Sequence, residues 1–300
     1  MSSEEKHDRT IQPPPSIKHR IDMFKKIREQ ERTIKEKMSK IKYKLVVLSG
    51  KGGVGKSFVT ASLAFALADK GKKVGVLDAD VHGPSMPKMM GIHGYTLMAT
   101  PDGQILPATA PLGVKVVSIG LMLPDDYTPV IWRGPIKTSA IRELLAYTAW
   151  GELDYLLIDL PPGTGDEQLT IVQLIPNITG AIIVTIPSDV SRIVVLKAIS
   201  FAKKLNLPII GIIENMSYFQ CPDGSKHYIF GEGVGKRIAE ETNIRFLGEI
   251  PLDPLISKAN DSGDPFFIKY PESLAAKAFI EIANEVIGIV EKEAAKPNKT

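Results

Sequence analysis

Residues 50–57 read Gly-Lys-Gly-Gly-Val-Gly-Lys-Ser and lie between an apolar run, KLVVLS (44–49), and a helical pattern, SFVTASLAFALADKG (57–71). The octapeptide has the G-x-x-x-x-G-K-[ST] spacing of a phosphate-binding loop. Its context weighs as much as its letters: a strand, a glycine-rich turn, and a helix that opens on the turn. Glycines let successive backbone N–H groups point inward at an anion, and a helix N-terminus adds positive potential. Lys56 is expected to reach the β- and γ-phosphates, and the Ser57 hydroxyl to ligate Mg²⁺. The candidate cradle is Gly50, Lys51, Gly52, Gly53, Val54, Gly55, Lys56, Ser57 and the adjoining Phe58.

Outward from the loop, strand and helix signals alternate. The runs KVGVLD (73–78), VKVVSI (114–119), DYLLID (154–159), GAIIVTI (180–186) and LPIIGII (207–213) read as buried strands, with RFLGEI (245–250) a shorter one. Helical patterns at 136–150 and 191–205 separate several of them. This alternation predicts an α/β fold with a doubly wound, mostly parallel sheet and helices on both faces. Such a sheet binds ligands at the carboxyl ends of its strands. The sequence divides into a polar tail (1–16), a charged helical extension (17–42), one ATPase-type domain (43–290) and a second polar tail (291–300).

Composition is that of an ordinary soluble protein, 44% hydrophobic and 24% charged. There is no membrane-spanning apolar run and no signal-peptide core. A single cysteine forbids an internal disulfide, and a cytoplasmic protein is the simplest expectation. The net charge of +3 is uneven: residues 1–44 balance at +6 and the remainder at −3. Within the extension, Ile17, Ile21, Phe24, Ile27, Ile34, Met38 and Ile41 recur at roughly helical spacing, and Ser16 is positioned as a cap. Two readings stand. One is a basic arm, over residues 17–44, for nucleic acid or an acidic membrane surface. The other is an appended helix lying on the domain or on a partner subunit.

Two further strand ends supply acids. Asp78 and Asp80 close the second strand, and Asp159 closes the fourth ahead of Leu160-Pro161-Pro162-Gly163. An acid at a strand end beside a phosphate loop is placed to hold Mg²⁺, directly or through water. Asp159 is the main candidate, with Asp78 near the metal's water shell and Asp80 placed to orient an attacking water. Gly163 is expected to offer a free backbone N–H to a γ-phosphate. For Asp78 and Asp80 the alternative is helix capping or turn formation.

Lys51, one residue after the first glycine, makes the loop resemble the deviant KGGVGKS form of the MinD, ParA and nitrogenase-iron-protein class. The resemblance implies that Lys51 reaches across a homodimer to the partner's nucleotide, so Lys51, Lys56 and Asp80 are the candidate catalytic residues. Longer strings are more specific: DADVHGPSMPKMMG (78–91), WRGPIKTSAI (132–141), WGELDYLLIDLPPGTGDEQLT (150–170), GIIENMSYF (211–219) and FLGEIPLDP (246–254). Together they resemble the Mrp/ApbC family of nucleotide-binding iron–sulfur cluster carriers over about residues 43–285. What this implies is a slow ATPase that binds ATP and Mg²⁺ at a dimer interface. Such a dimer would hold a labile cluster between its subunits and pass it to apo-protein clients. By the same resemblance Asn215 reads the adenine, and Pro251 with Asp253 forms the other half of the base pocket.

The family pattern carries C-P-x-C after NMSYF, whereas here Cys221-Pro222-Asp223 is followed by Gly224. A dimer then offers two thiolates where an all-cysteine Fe₄S₄ cluster takes four. Three readings are open. Cys221 from each subunit joins other ligands, such as His227, a small thiol or client cysteines; or cluster binding is lost; or Cys221 is simply part of a Cys-Pro-Asp-Gly turn. Two other functional classes are compatible with a phosphate loop. A partitioning or positioning ATPase has the basic extension as its support, and a kinase-like enzyme has no legible acceptor site.

Overall fold

The computed structural model describes residues 17–80, 85–122 and 134–294. The tail 1–16, with Ser16, and residues 295–300 lie outside the described residues, as do parts of the DADVHGPSMPKMMG and WRGPIKTSAI strings. The chain opens with α1 (Ile17–Ser39), β1 (Ile41–Leu48), α2 (Lys56–Asp69), β2 (Val74–Asp78) and the short α3 (Met86–Met89). Small strands β3 (Met98–Ala99), β4 (Ile105–Leu106) and β5 (Ala108–Thr109) precede β6 (Lys115–Ser118). Then come α4 (Gly134–Tyr147), β7 (Leu153–Asp159), α5 (Asp166–Leu174), β8 (Gly180–Thr185), α6 (Asp189–Lys204) and β9 (Ile209–Glu214). A hairpin of β10 (Phe219–Gln220) and β11 (Lys226–His227) leads to α7 (Val234–Thr242) and β12 (Phe246–Glu249). The chain finishes with α8 (Pro254–Ser262), α9 (Phe266–Lys269) and α10 (Leu274–Ala294).

Eight strands form one sheet in the order β12-β9-β8-β1-β7-β2-β6-β5. Every pairing is parallel except that of β5 with β6 at the edge. The strand period of two explains how the two cores are built. Leu45, Val47, Val76, Leu157, Ile182 and Val184 point to one face, where they meet Val59, Leu63 and Phe65 of α2 and Phe279, Ile282 and Val286 of α10. Their neighbours Val46, Leu48, Leu77, Leu156, Ile158 and Ile183 point to the other, against Ile141, Leu144 and Leu145 of α4 and Val195 and Ile199 of α6. Strands covered on both sides explain the unbroken apolar runs of the sequence.

The extension docks on its own domain. Ile34 and Met38 of α1 are fully buried among the α4 side chains, each contributing roughly 1.5–3 kcal/mol. The buried Lys44 ammonium donates to the carbonyls of Met38 (3.2 Å) and Ile41 (3.0 Å), fastening the end of α1 to β1. Met23 and Phe24, in the N-terminal half of the helix, stay exposed. Two boundaries differ from expectation. The helix ends at Ser39, and β1 begins at Ile41, which shares the helical spacing but pairs with Leu153. At the other end α10 runs to Ala294, past residue 290, because Ile289 and Val290 are buried in the core. Among the described residues no helix is long and apolar enough to cross a membrane.

The carboxyl ends of β1, β2 and β7 lie side by side, and they bring residues 49–57, 78–80 and 159–163 together.

Candidate functional site

The loop after β1 turns on two left-handed residues, Gly53 and Gly55, both at φ +77°. A left-handed residue set among right-handed ones is the backbone form of an anion nest. Gly55 is also the N-cap of α2, which starts at Lys56 without a side-chain cap or an acid in its first turn. Its first amides and the positive end of its dipole are therefore directed at whatever the loop encloses. Gly50 is required for a different reason: a Cβ there would lie 2.3 Å from the Val194 carbonyl oxygen of α6.

Below the loop, Asp159 gathers three donors. Lys56 Nζ and Ser57 Oγ each lie 2.6 Å from its Oδ2, and Thr60 Oγ1 lies 2.6 Å from Oδ1. The Lys56–Asp159 pair is almost wholly shielded from water. Asp78 sits opposite Asp159 in the β2–β7 register. Burial, and then the Asp159 charge, push its carboxyl up to about 7, against hydrogen bonds from Ser118 Oγ (2.7 Å) and the Asp80 N–H (3.1 Å). A cleft of about 230 Å³ opens above this cluster, lined by Lys51, Lys56, Ser57, Asp80, Ser85 and Pro162 among others. Lys51, Lys56 and Asp80, the candidate catalytic residues, thus share one cleft. The hard oxygens of Ser57 and Asp159, converging at the loop's edge, are a donor set suited to Mg²⁺.

Other expected residues land differently. Val54 is buried, and the Phe58 ring packs edge-on against Phe266 and Phe279, both at 5.6 Å, so that ring serves the core. The Gly163 N–H is not free, a correction to the sequence reading: it donates to the Ser49 carbonyl at 3.0 Å, which closes the Pro161–Gly163 turn onto the phosphate loop. Asn215 is buried, and its Nδ2 donates to the Val54 carbonyl at 2.9 Å. Pro251 and Asp253 line a separate hollow with Phe219 and Leu252, and Asp253 caps α8 by accepting from the Leu255 N–H at 2.9 Å.

Three contributors were missed from sequence. Thr60 lies one turn beyond Lys56 on the same face of α2, a spacing that could have flagged it. Ser118 ends β6 beside Asp78, which only the strand order reveals. Gln168 accepts from the Gly165 N–H (2.9 Å) and donates to the carbonyls of Pro161 (3.1 Å) and Pro162 (2.7 Å), so it holds the turn after β7 in shape.

Cys221 is half-buried at the tip of the β10–β11 hairpin. The Gly224 N–H donates to the Cys221 carbonyl and the Cys221 N–H to the Ser225 carbonyl, both at 2.9 Å. Asp223 Oδ1 accepts from the Ser225 N–H (2.9 Å) and hydroxyl (2.6 Å). Proline second, aspartate third and a left-handed glycine fourth (Gly224, φ +86°) make a turn followed by a glycine bulge. Gly224 therefore has a backbone reason to be glycine. His227 is exposed and pairs with Phe219 in the hairpin ladder. Among the described residues no group of three or more His, Cys, Asp or Glu side chains gathers as a metal site.

A family model described as "ParA: NUBPL iron-transfer P-loop NTPase" matches residues 40–287. A protein of Saccharolobus solfataricus named iron-sulfur cluster carrier protein is 54% identical over 284 residues, covering 93% of this chain and 96% of its own. A nucleotide-binding protein of Archaeoglobus fulgidus, solved in complex with ADP, superposes with a TM-score of 0.70 at 41% identity, over 82% of this chain and 98% of its own. The septum site-determining protein MinD of Pyrococcus horikoshii, complexed with Mg-ADP, gives a TM-score of 0.63 at 26% identity, over 85% and 98%.

Proposed function

The chain belongs to the family of NUBPL iron-transfer P-loop NTPases, and on that premise we propose that it is an ATP-hydrolysing homodimer that carries iron–sulfur clusters to apo-proteins. The observation that carries the nucleotide half is the convergence of Lys56, Ser57 and Thr60 on Asp159 beneath a left-handed glycine loop. The relatives' names support the carrier half.

In this reading the loop amides and the α2 N-terminus take the β-phosphate of ATP. Lys56, already beside an acid, gains the phosphates as further anionic partners. Ser57 and Asp159 hold Mg²⁺, which neutralises phosphate charge when bound. Asp80 orients the water that attacks the γ-phosphorus; the bond to the β-γ bridging oxygen breaks, giving ADP and phosphate. Lys51 contributes its charge to the nucleotide of the second copy. The cluster is cargo, and Cys221 from each copy supplies a thiolate, with non-cysteine groups or the client's own cysteines completing the set. Asn215, Pro251 and Asp253 are proposed to face the base, Asn215 through whatever its amide has left after the bond to Val54.

The test is transfer. Anaerobically reconstituted protein mixed with an apo-ferredoxin is expected to convert it to the holo form, and Cys221→Ala is expected to lose that ability. In parallel, Lys56→Ala is expected to abolish phosphate release from ATP. Absence of transfer overturns the carrier role, and transfer that is indifferent to Cys221 overturns the role of that thiol. Hydrolysis that is indifferent to Lys56 overturns the ATPase role. The turn chemistry at Gly224 favours a second reading, an ATPase without a cluster, and absence of iron from the reconstituted protein is its signature.

A further inference from the structure

A segment of seven residues, Asn215–Cys221, runs from the phosphate loop to the cysteine turn. At its first residue the buried Asn215 amide donates to the Val54 carbonyl at 2.9 Å. That carbonyl belongs to the same rigid peptide plane as the Gly55 N–H. Asn215 therefore grips one edge of a plane whose other edge lies in the anion nest. The contact is close: a Cβ on Gly55 would fall 2.3 Å from Asn215 Nδ2 and 3.6 Å from Met216 Cε.

The rest of the segment has little freedom to absorb a shift. Met216 is a non-glycine residue held at φ +55°, a conformation that persists only where its surroundings over-determine it. Glu214, immediately before, is fully buried and accepts from the Gly235 N–H (2.5 Å) and the Ser217 hydroxyl (2.7 Å). The Ser217 N–H donates to the Ile250 carbonyl (2.9 Å), and the Leu252 N–H to the Tyr218 carbonyl (2.7 Å). Tyr218 is then held edge-on to Tyr228, with the Lys226 ammonium over its ring at 3.8 Å. The β10–β11 ladder then pairs Phe219 with His227 and Gln220 with Lys226, and Cys221 follows directly. Fully extended, the segment spans on the order of 20 Å.

From this continuous chain of bonded groups we infer that Asn215 is a positioning residue coupling the phosphate loop to the cysteine turn, so that phosphate in the loop sets how exposed the Cys221 thiol is. A phosphate oxygen that fixes the Gly55 N–H also fixes the Val54 carbonyl and the amide bonded to it. The segment is hydrogen-bonded at Asn215, Ser217, Tyr218 and Cys221, so such a shift is passed along instead of dissipated. The inference rests on the nucleotide reading above, and it extends that reading by saying how the bound nucleotide is felt at the cargo residue.

Because Cys221 is the chain's single cysteine, its thiol can be read without labelling ambiguity. The full chain is treated with an aryl disulfide that forms a mixed disulfide with Cys221 and releases a coloured thiolate, with and without saturating Mg-ADP. Binding of Mg-ADP is measured separately by calorimetry. The expected result is a change in the Cys221 rate of at least about fivefold, the low end of ordinary coupling between sites. In Asn215→Asp, which keeps the shape but removes the donor, the rate change is lost even at the Mg-ADP concentration that calorimetry shows to saturate the variant. Binding without any rate change in the wild-type protein overturns the coupling, while absence of binding overturns the nucleotide reading instead. A full response in Asn215→Asp overturns the role of Asn215. If that variant does not fold, amide hydrogen exchange in the wild type decides. Protection at Ser217 and Leu252 is expected to change on adding Mg-ADP, and no change at either overturns the inference.

Discussion

Gly53 and Gly55 share the same left-handed backbone, φ +77°, yet differ in what surrounds them. That contrast allows the contact between the loop and Asn215 to be weighed. An alanine at either position meets the cost of an L-residue in the left-handed region, roughly 1–2 kcal/mol. At Gly53 nothing lies within 4 Å of the new Cβ, so the strain is the whole effect. At Gly55 the Cβ would sit 2.3 Å from Asn215 Nδ2, and the amide must move. Moving it breaks the bond to the Val54 carbonyl and leaves that buried acceptor unpaired, at about 1–3 kcal/mol more. Gly53→Ala should therefore cost about 1–2 kcal/mol and Gly55→Ala about 2–5 kcal/mol. Urea unfolding of nucleotide-free protein measures the gap. With a slope near 3 kcal/mol per molar, the two midpoints should differ by roughly 0.3–1 M. In an Asn215→Ala background the excess should shrink toward zero, as a double-mutant cycle requires of residues in contact. Equal midpoints for the two single variants, or an excess that survives without Asn215, would refute the assigned contact.

Asp78→Asn should stabilise the metal-free protein in a pH-dependent way. A carboxyl raised from 3.8 to about 7 on folding gives full stability below pH 3.8 and loses it as pH rises to 7. The melting-temperature advantage of the variant should therefore be near zero at pH 3.8, grow through the window and level off above pH 7, while a flat difference contradicts the burial of a charge there. Lys51→Ala should slow phosphate release from ATP by about tenfold or more; release at the wild-type rate removes Lys51 from the interfacial role. Gly224→Cys should fold at a cost of about 1–2 kcal/mol, since its φ of +86° is strained for cysteine but nothing lies within 4 Å of the new Cβ. It should also retain more iron per chain than the natural sequence after anaerobic reconstitution, and unchanged iron separates the thiol count from cluster binding.

The parallel sheet was legible because β1, β7 and β8 are apolar on both faces, so their runs are unbroken. The phosphate loop was legible because its glycines and lysine sit at fixed spacing in one stretch of chain. What escaped notice depends on strand order. Ser118 reaches Asp78 only because β6 lies beside β2, and the Gly163 N–H is engaged because the turn after β7 closes on Ser49. Asn215 lies 161 residues from Val54, and nothing in its own neighbourhood of sequence signals that bond. The end of α1 was misplaced because Ile41 satisfies the helical period while its backbone is committed to β1. Gly224 stood out as a missing cysteine, and the hairpin adds a positive reason for glycine at that position.

A carrier of this family must hold its cargo, and Cys221 is the residue proposed to do so. The direct measurement is iron and acid-labile sulfide per chain, on full-length protein reconstituted without oxygen, beside a Cys221→Ala control treated identically. The proposed carrier retains both elements above the control, in similar amounts to each other. Equal iron and sulfide in the two proteins would contradict it, leaving an ATPase of this family whose single cysteine serves only its turn.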